Sequence, residues 1–277
     1  MYNLHLPGFR TGKLYKGLFK SVCIPGLNCY SCPGAVAACP IGALQAVAST
    51  AEARIAWFVV GFLSLVGALA GRLVCGWACP FGLIQEWLHK IPAPKFKHLR
   101  RYRVWRALLK LKYAVLILFV FLLPNILSGG TPAFCAYICP AGTLQAGIMV
   151  LLDTRLQGAV GVLYRWKVAV LLVTLIACVV IYRPFCRLLC PLGAFYAPFN
   201  RISLLTLRVD AGRCTHCQTC SSACQMEVAP ANNPADTECI RCGHCVKACP
   251  QGALRLSVRT ESGAPKQKKR VSGRNCV

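Results

Sequence analysis

The chain has 277 residues, of which 20 are cysteine and 56% are hydrophobic. Thirty-two Lys and Arg stand against eight Asp and Glu, a formal charge of +24. That composition excludes an ordinary soluble enzyme and a secreted disulfide scaffold. The bases gather beside apolar stretches, which points to anionic lipid rather than nucleic acid.

From Met1 to Lys20 there is no continuous apolar core of the kind a cleavable signal needs. Arg10, Lys13, Lys16 and Lys20 alternate with Leu14, Leu18 and Phe19, and this spacing predicts an interfacial amphipathic helix. Cys29 and Cys32 follow, then Cys39-Pro40-Ile-Gly42. Ile55 to Gly71 is seventeen residues without a charge, closed by Arg72, and reads as a first membrane span. Its Gly67-x3-Gly71 offers a small-residue surface for close helix packing.

Next comes Cys75-Gly-Trp-Ala-Cys79-Pro80-Phe-Gly82, and then nine bases with no acid between Lys90 and Lys112. Tyr113 to Leu152 is forty residues without Asp, Glu, Lys or Arg. Pro124, Gly129-Gly130 and Pro132 interrupt it, which predicts a span over about 113–129, a loop and a short helix. That segment carries Cys135-Ala-Tyr-Ile-Cys139-Pro140-Ala-Gly142. A third span, Val168–Tyr182, is only fifteen residues, with Trp166 and Tyr182 at the interfaces and Arg165, Lys167 and Arg183 snorkelling. Cys186-Arg-Leu-Leu-Cys190-Pro191-Leu-Gly193 closes it. Buried helices of a soluble protein are the bland alternative, but the second stretch is too long and too apolar for that.

Two runs then dominate: Cys214-x2-Cys217-x2-Cys220-x3-Cys224 and Cys239-x2-Cys242-x2-Cys245-x3-Cys249-Pro250. In such runs three sulfurs wrap one four-iron, four-sulfur cubane and the fourth reaches the neighbouring cluster. The expected sets are therefore Cys214, Cys217, Cys220 with Cys249, and Cys239, Cys242, Cys245 with Cys224. Zinc uses isolated pairs or four ligands in all, not two complete runs of four. His216 and His244 sit inside the two loops, within reach of tuning a potential. The tail from Arg259 to Val277 is basic and rich in Gly, Ser and Pro, which predicts disorder near lipid or an acidic donor.

The basic loop 90–112 belongs on the cytoplasmic side. Three crossings then bring the ferredoxin run to that same side, where thiols stay reduced. Cys75 with Cys79 and Cys186 with Cys190 fall at the cytoplasmic end, and these four are expected to hold an inner membrane cluster. Cys39, Cys135 and Cys139 fall at the outer end and would hold an outer one, with Cys32 favoured over Cys29 as the fourth ligand. Proline directly after a cysteine suits the first turn of a helix, so each motif should open one whose amides face the cluster. Gln45, Gln85 and Gln145 share the sixth place after the second cysteine of their motifs; the fourth copy has Tyr196.

These motifs resemble the membrane-anchored polyferredoxins of the NapH type, with the related NosR and CcoG proteins. Gly71-Arg72-Leu-Val-Cys75-Gly-Trp-Ala-Cys79-Pro80-Phe-Gly82 matches the most characteristic stretch of that family. Pro25-Gly-Leu-Asn-Cys29-Tyr-Ser-Cys32-Pro33, ending at Cys39 and Gln45, resembles the N-terminal element of one branch. The likeness covers roughly residues 23–255. NapH-type proteins commonly begin with an extra span that is absent here, and Gln225 stands where a proline is frequent.

The fold expected is mainly α: a helical membrane domain of about three spans with interfacial or re-entrant helices, then a small α+β two-cluster ferredoxin domain. The divisions are 1–53, 54–204, 205–258 and a tail at 259–277. The resemblance implies four [4Fe-4S] clusters in a multi-pass protein of a prokaryotic cytoplasmic membrane. It further implies electron transfer between a cytoplasmic donor or the quinone pool and an extracytoplasmic flavoprotein, cytochrome or reductase. The alternatives are a quinol dehydrogenase with an intramembrane quinone site, and a membrane reductase serving metallocofactor assembly. A stand-alone enzyme is the weaker expectation, because polar groups at membrane depth are sparse and nicotinamide and flavin fingerprints are absent.

Overall fold

The computed structural model describes residues 3, 5, 7–8, 14–48, 53–96, 99–126, 131–147 and 161–259. Past Arg259 the basic tail lies outside the described residues, as do residues 10–13 of the segment expected as an N-terminal amphipathic helix. The rest of that segment is described and is not an amphipathic helix: residues 14–17 are irregular and Leu18–Ser21 is a single 3-10 turn.

The chain builds α1 (Pro40–Ala48), α2 (Ala53–Ala70), α3 (Leu73–Trp77) and α4 (Pro80–His89). A helix α5 spans Arg103–Ile126, with a π-helical stretch at Leu116–Leu122. Then come α6 (Ala133–Tyr137), and α7 (Pro140–Gly142) running on as a π-helix over Thr143–Gly147. The helical part ends with α8 (Val162–Val180), α9 (Pro184–Leu188) and α10 (Pro191–Tyr196). Helices α1, α4, α7 and α10 all start at the proline that follows a cysteine, where the fixed φ and the missing N–H cost nothing.

Among the described residues, α5 and α8 are long and apolar enough to cross a membrane, and α2 has a shorter apolar stretch, Trp57–Ala70. Helix α5 begins about ten residues before the expected span: the charge-free window missed the basic first turns, which are nonetheless helical. Large apolar side chains such as Trp57, Phe58, Val173 and Ile176 face outward, as they do against lipid. The Gly67-x3-Gly71 pair does not seat a second long helix. A Cβ at Gly67 would stand 2.8 Å from the Phe199 ring, and Gly71 ends α2 at φ +56.

Strands β1 (Leu205–Val209) and β2 (Leu254–Val258) pair antiparallel, Leu205 opposite Val258 and Val209 opposite Leu254. They close the two cysteine loops, which carry α11 (Thr219–Ser222) and α12 (His244–Ala248). This unit is not loosely tethered. Met226, Val228 and Ile240 belong to the same buried core as Leu63, Phe81 and Phe185 of the helical part.

The scarce acids hold the junction. Glu238 bonds both Arg72, at 3.0 Å, and Lys112. Asp236 pairs with Arg100 at 2.9 Å, and Glu227 lies 3.5 Å from Arg187. Burial alone would raise the Glu238 carboxyl, but Arg72 and then Lys112 hold it below the ordinary carboxylate range. Asn200 completes the seam, accepting from the Arg72 amide at 3.0 Å and donating to the Cys239 carbonyl at 2.7 Å.

Candidate metal centres

Two cavities mark the ferredoxin unit. One is lined by Cys214, Cys217, Cys220 and Cys249, with His216 at its wall. The other is lined by Cys224, Cys239, Cys242 and Cys245, with His244 beside them. Each cavity thus takes three thiols from one run and the fourth from the other. The sulfurs ring a space rather than converge on a point: among the described residues no three Cys, His, Asp or Glu could hold a single ion. Four thiols around a cavity fit a cubane. Burial pushes the Cys239 thiol up to about 11 and the Cys245 thiol up to about 12, so loading iron there displaces protons.

Gln218 and Gly243, at φ 59 and 82, turn the chain back just before α11 and α12. Arg241, at φ 53, is held in the same left-handed region by bonds to the Ala70 and Asn200 carbonyls, both 3.0 Å.

The helical part gathers two further sets. Cys75, Cys79, Cys186 and Cys190 interact with one another in a buried nest. Cys39, Cys135, Cys139 and Cys29 form the second. It is Cys29, not Cys32, that joins this set. A Cβ on Gly142 would stand 3.7 Å from the Cys29 sulfur and 3.8 Å from that of Cys139, whereas Cys32 interacts with Cys29 and Lys20.

Each motif supplies its own donor. The residue three places after the second cysteine is glycine, and its amide faces the cysteine sulfur in all four copies. The distance is 3.4 Å at Gly142 with Cys139 and at Gly193 with Cys190; Gly42 and Gly82 do the same for Cys39 and Cys79. At Cys139 and Cys190 this is an N-cap in which sulfur replaces the usual side-chain oxygen, whereas Cys79 closes no such cap bond.

The repeated glutamines tie partner motifs together. Gln45 Nε2 donates to Cys135 Sγ at 3.2 Å while its Oε1 accepts from Phe134 N at 2.8 Å. Gln145 Oε1 accepts from Cys29 N at 2.6 Å, and Gln85 Nε2 donates to Cys186 Sγ at 3.0 Å. Tyr196, which holds the fourth such position, instead donates to the Pro25 carbonyl at 3.3 Å. The sequence repeat flagged these positions without revealing what they bond.

Distances between sites differ from expectation. The Cys29 and Cys75 sets do not stand a membrane's width apart. The Leu27 amide faces Cys79 and the next amide, Asn28, faces Cys39, so one dipeptide touches both. Helix α1 is half the length of α2 and packs along it, which puts Cys39 midway down α2 rather than at its end. The second ferredoxin cavity also abuts the Cys75 set. A Cβ on Gly76 would lie 2.5 Å from the Ile240 carbonyl oxygen, and Trp77 Nε1 donates to the Arg241 carbonyl at 3.1 Å.

Comparison with known proteins finds 4Fe-4S binding proteins. A 4Fe-4S binding domain family matches residues 50–98, 111–157 and 162–209, and a second 4Fe-4S binding domain matches residues 236–255. The chain belongs to the NapH-like 4Fe-4S polyferredoxins. It is 31% identical over 193 residues to an uncharacterized protein of Methanocaldococcus jannaschii, covering 68% of this chain and 73% of that protein. It is 30% identical over 223 residues to the methylamine utilization ferredoxin-type protein MauN of Methylorubrum extorquens, covering 75% and 68%. With the ferredoxin-type protein NapH of Haemophilus influenzae the figures are 26% over 233 residues, 76% and 74%. No solved structure matches the chain.

Proposed function

We propose that this polyferredoxin carries electrons into and through a membrane along four iron–sulfur sites in series. Each [4Fe-4S] cluster, when bound, accepts and releases one electron at a time. Cys214, Cys217, Cys220 and Cys249 would hold the first; Cys239, Cys242, Cys245 and Cys224 the second. Cys75, Cys79, Cys186 and Cys190 would hold the third. Cys39, Cys135, Cys139 and Cys29 would hold the fourth, with Cys29 in place of Cys32. The divisions at residues 54, 205 and 259 separate the membrane part, the ferredoxin part and the tail.

The observation that carries this reading is the run of contacts: Cys220 and Cys245, one from each ferredoxin site, share a buried cluster. Gly76 and Ile240 bring the second and third sites together, and Leu27 with Asn28 bridges the third and fourth. A hydrocarbon layer roughly 30 Å thick is too wide for one fast hop, so relay sites are needed. In this reading α2, α5 and α8 cross the membrane, and the ferredoxin part lies in the cytoplasm beside the basic loop 90–112. A cytoplasmic one-electron donor serves the exposed Cys217 end. An extracytoplasmic redox protein, or a quinone, takes the electron from the Cys39 site.

The test is iron and acid-labile sulfide per chain in anaerobically purified protein. About sixteen of each is expected for four cubanes. About eight would leave the ferredoxin pair alone and remove the membrane route.

A further inference from the structure

The Cys75 and Cys39 sites share the same motif but not the same surroundings. An arginine stands three residues before the first cysteine in both motifs of the Cys75 site, as Arg72-x2-Cys75 and Arg183-x2-Cys186; Pro132 holds that place before Cys135. Each arginine crosses to the opposite motif. Arg72 Nη2 lies 3.3 Å from where a Gly193 Cβ would be, and Arg183 Nη1 lies 3.0 Å from that of Gly82. These are the glycines whose amides face Cys190 and Cys79, so their missing side chains make room for the guanidinium groups beside the sulfurs. Arg183 Nη1 donates to the Cys75 carbonyl at 2.6 Å, and the Arg72 guanidinium faces the Cys75 sulfur. Arg183 is held at φ 48, a region that L residues of its size rarely enter.

Both arginines are no more than 1% exposed, yet Arg72 Nε and Nη2 and Arg183 Nε have no hydrogen-bond partner. Buried donors are almost always paired, so these nitrogens are placed to face negative charge at the site. Arg187 and Lys112, equally buried, bring the local cations to four, against the carboxylates of Glu86, Glu227 and Glu238. Among the described residues the Cys39 site has no such pair. Its cations are Lys167, partly exposed, and Lys20, whose Nζ is bonded to the Tyr30 and Ala35 carbonyls at 2.7 and 2.9 Å. At the second ferredoxin site Arg241 is offset by Asp236. The first opens to solvent through exposed Cys217.

We propose that Arg72 and Arg183 form a reciprocal guanidinium pair that makes the Cys75 site the most oxidising of the four, the position where an electron entering the chain comes to rest. This rests on the iron–sulfur reading above. Reduction adds one negative charge to the site, and buried cations stabilise that charge far more than solvent-screened ones. The Gln85 donor acts in the same direction. The two residues are positioning groups for the site's potential and do not ligate iron.

The test is an anaerobic redox titration of the full, iron-loaded protein in detergent, followed by electron paramagnetic resonance. The Cys75 site is identified as the signal lost in Cys190→Ser. In the wild type that signal should be reduced first as the potential falls. Arg72→Gln and Arg183→Gln should each lower its electron affinity by about tenfold, about 59 mV for a one-electron couple, with the ferredoxin signals unmoved. If another site is reduced first, or both variants leave the signal in place, the proposal is overturned. If the variants fail to fold, the wild-type order alone decides it. Full iron content with the wrong order refutes the arginine pair only, whereas eight irons per chain refutes the four-site reading.

Discussion

In the ferredoxin part, three of each site's four cysteines come from a single tight loop, and one of them, Cys217, is exposed. In the helical part each site joins motifs from separate helices, and most of the sulfurs lie in the common core with Phe81, Phe134 and Phe185. The same thiolate chemistry is therefore assembled locally in one region and only by the finished fold in the other. A loop that carries its own ligands can bind iron once its turns form. The helical sites need α4 against α9, and the Cys29 loop against α7, before four sulfurs meet. The helical sites should accordingly be the ones lost first when the helical packing is disturbed.

The sharpest way to break this comparison is at the Cys39 set. Cys29→Ser should remove about four irons and one electron paramagnetic resonance signal, while Cys32→Ser leaves the iron content whole. The reverse outcome would restore Cys32 as the ligand. A smaller but still large effect is expected at the junction. Glu238→Gln strands Arg72 and Lys112 without their shared carboxylate, and breaking such a buried pair costs about 3–5 kcal/mol. Thermal unfolding of the variant should show the ferredoxin part undocking from the helices with its own sites intact, where the wild type unfolds as one.

Gly76→Ala tests the contact between the two regions. Its methyl would overlap the Ile240 carbonyl, an overpacking cost of about 1–3 kcal/mol. Electron transfer from the ferredoxin sites to the Cys75 site should slow in flash-reduction kinetics, with iron content unchanged. The smallest effect belongs to Gln85→Leu, which deletes one buried donor to Cys186, a loss of about 1 kcal/mol. It should lower the potential of the Cys75 site alone, and a shift at the ferredoxin sites instead would contradict the geometry.

Much of this was legible from residue order. Proline after cysteine fixes where α1, α4, α7 and α10 begin, because only a helix start tolerates that ring without loss. The spacing of the two ferredoxin runs likewise yields both cavities. Long apolar stretches gave α5 and α8, though the basic first turns of α5 were misjudged because charge, not helicity, had set the boundary. The glutamine repeat was visible, but nothing in a period of residues says whether an amide points at sulfur, backbone or lipid.

What the chain order determined by itself is whatever follows from local geometry: motif, cap, turn and ferredoxin loop. The tertiary structure alone decided which distant elements touch. It brought Cys29 rather than Cys32 beside Cys139, because the Gln145 carbonyl draws the Cys29 amide toward α7. It set the two membrane-domain sites side by side, because a nine-residue helix against an eighteen-residue one leaves Cys39 half-way along. And it placed Arg72 and Arg183 beside the sulfurs, because only two glycines on opposing motifs leave room for them.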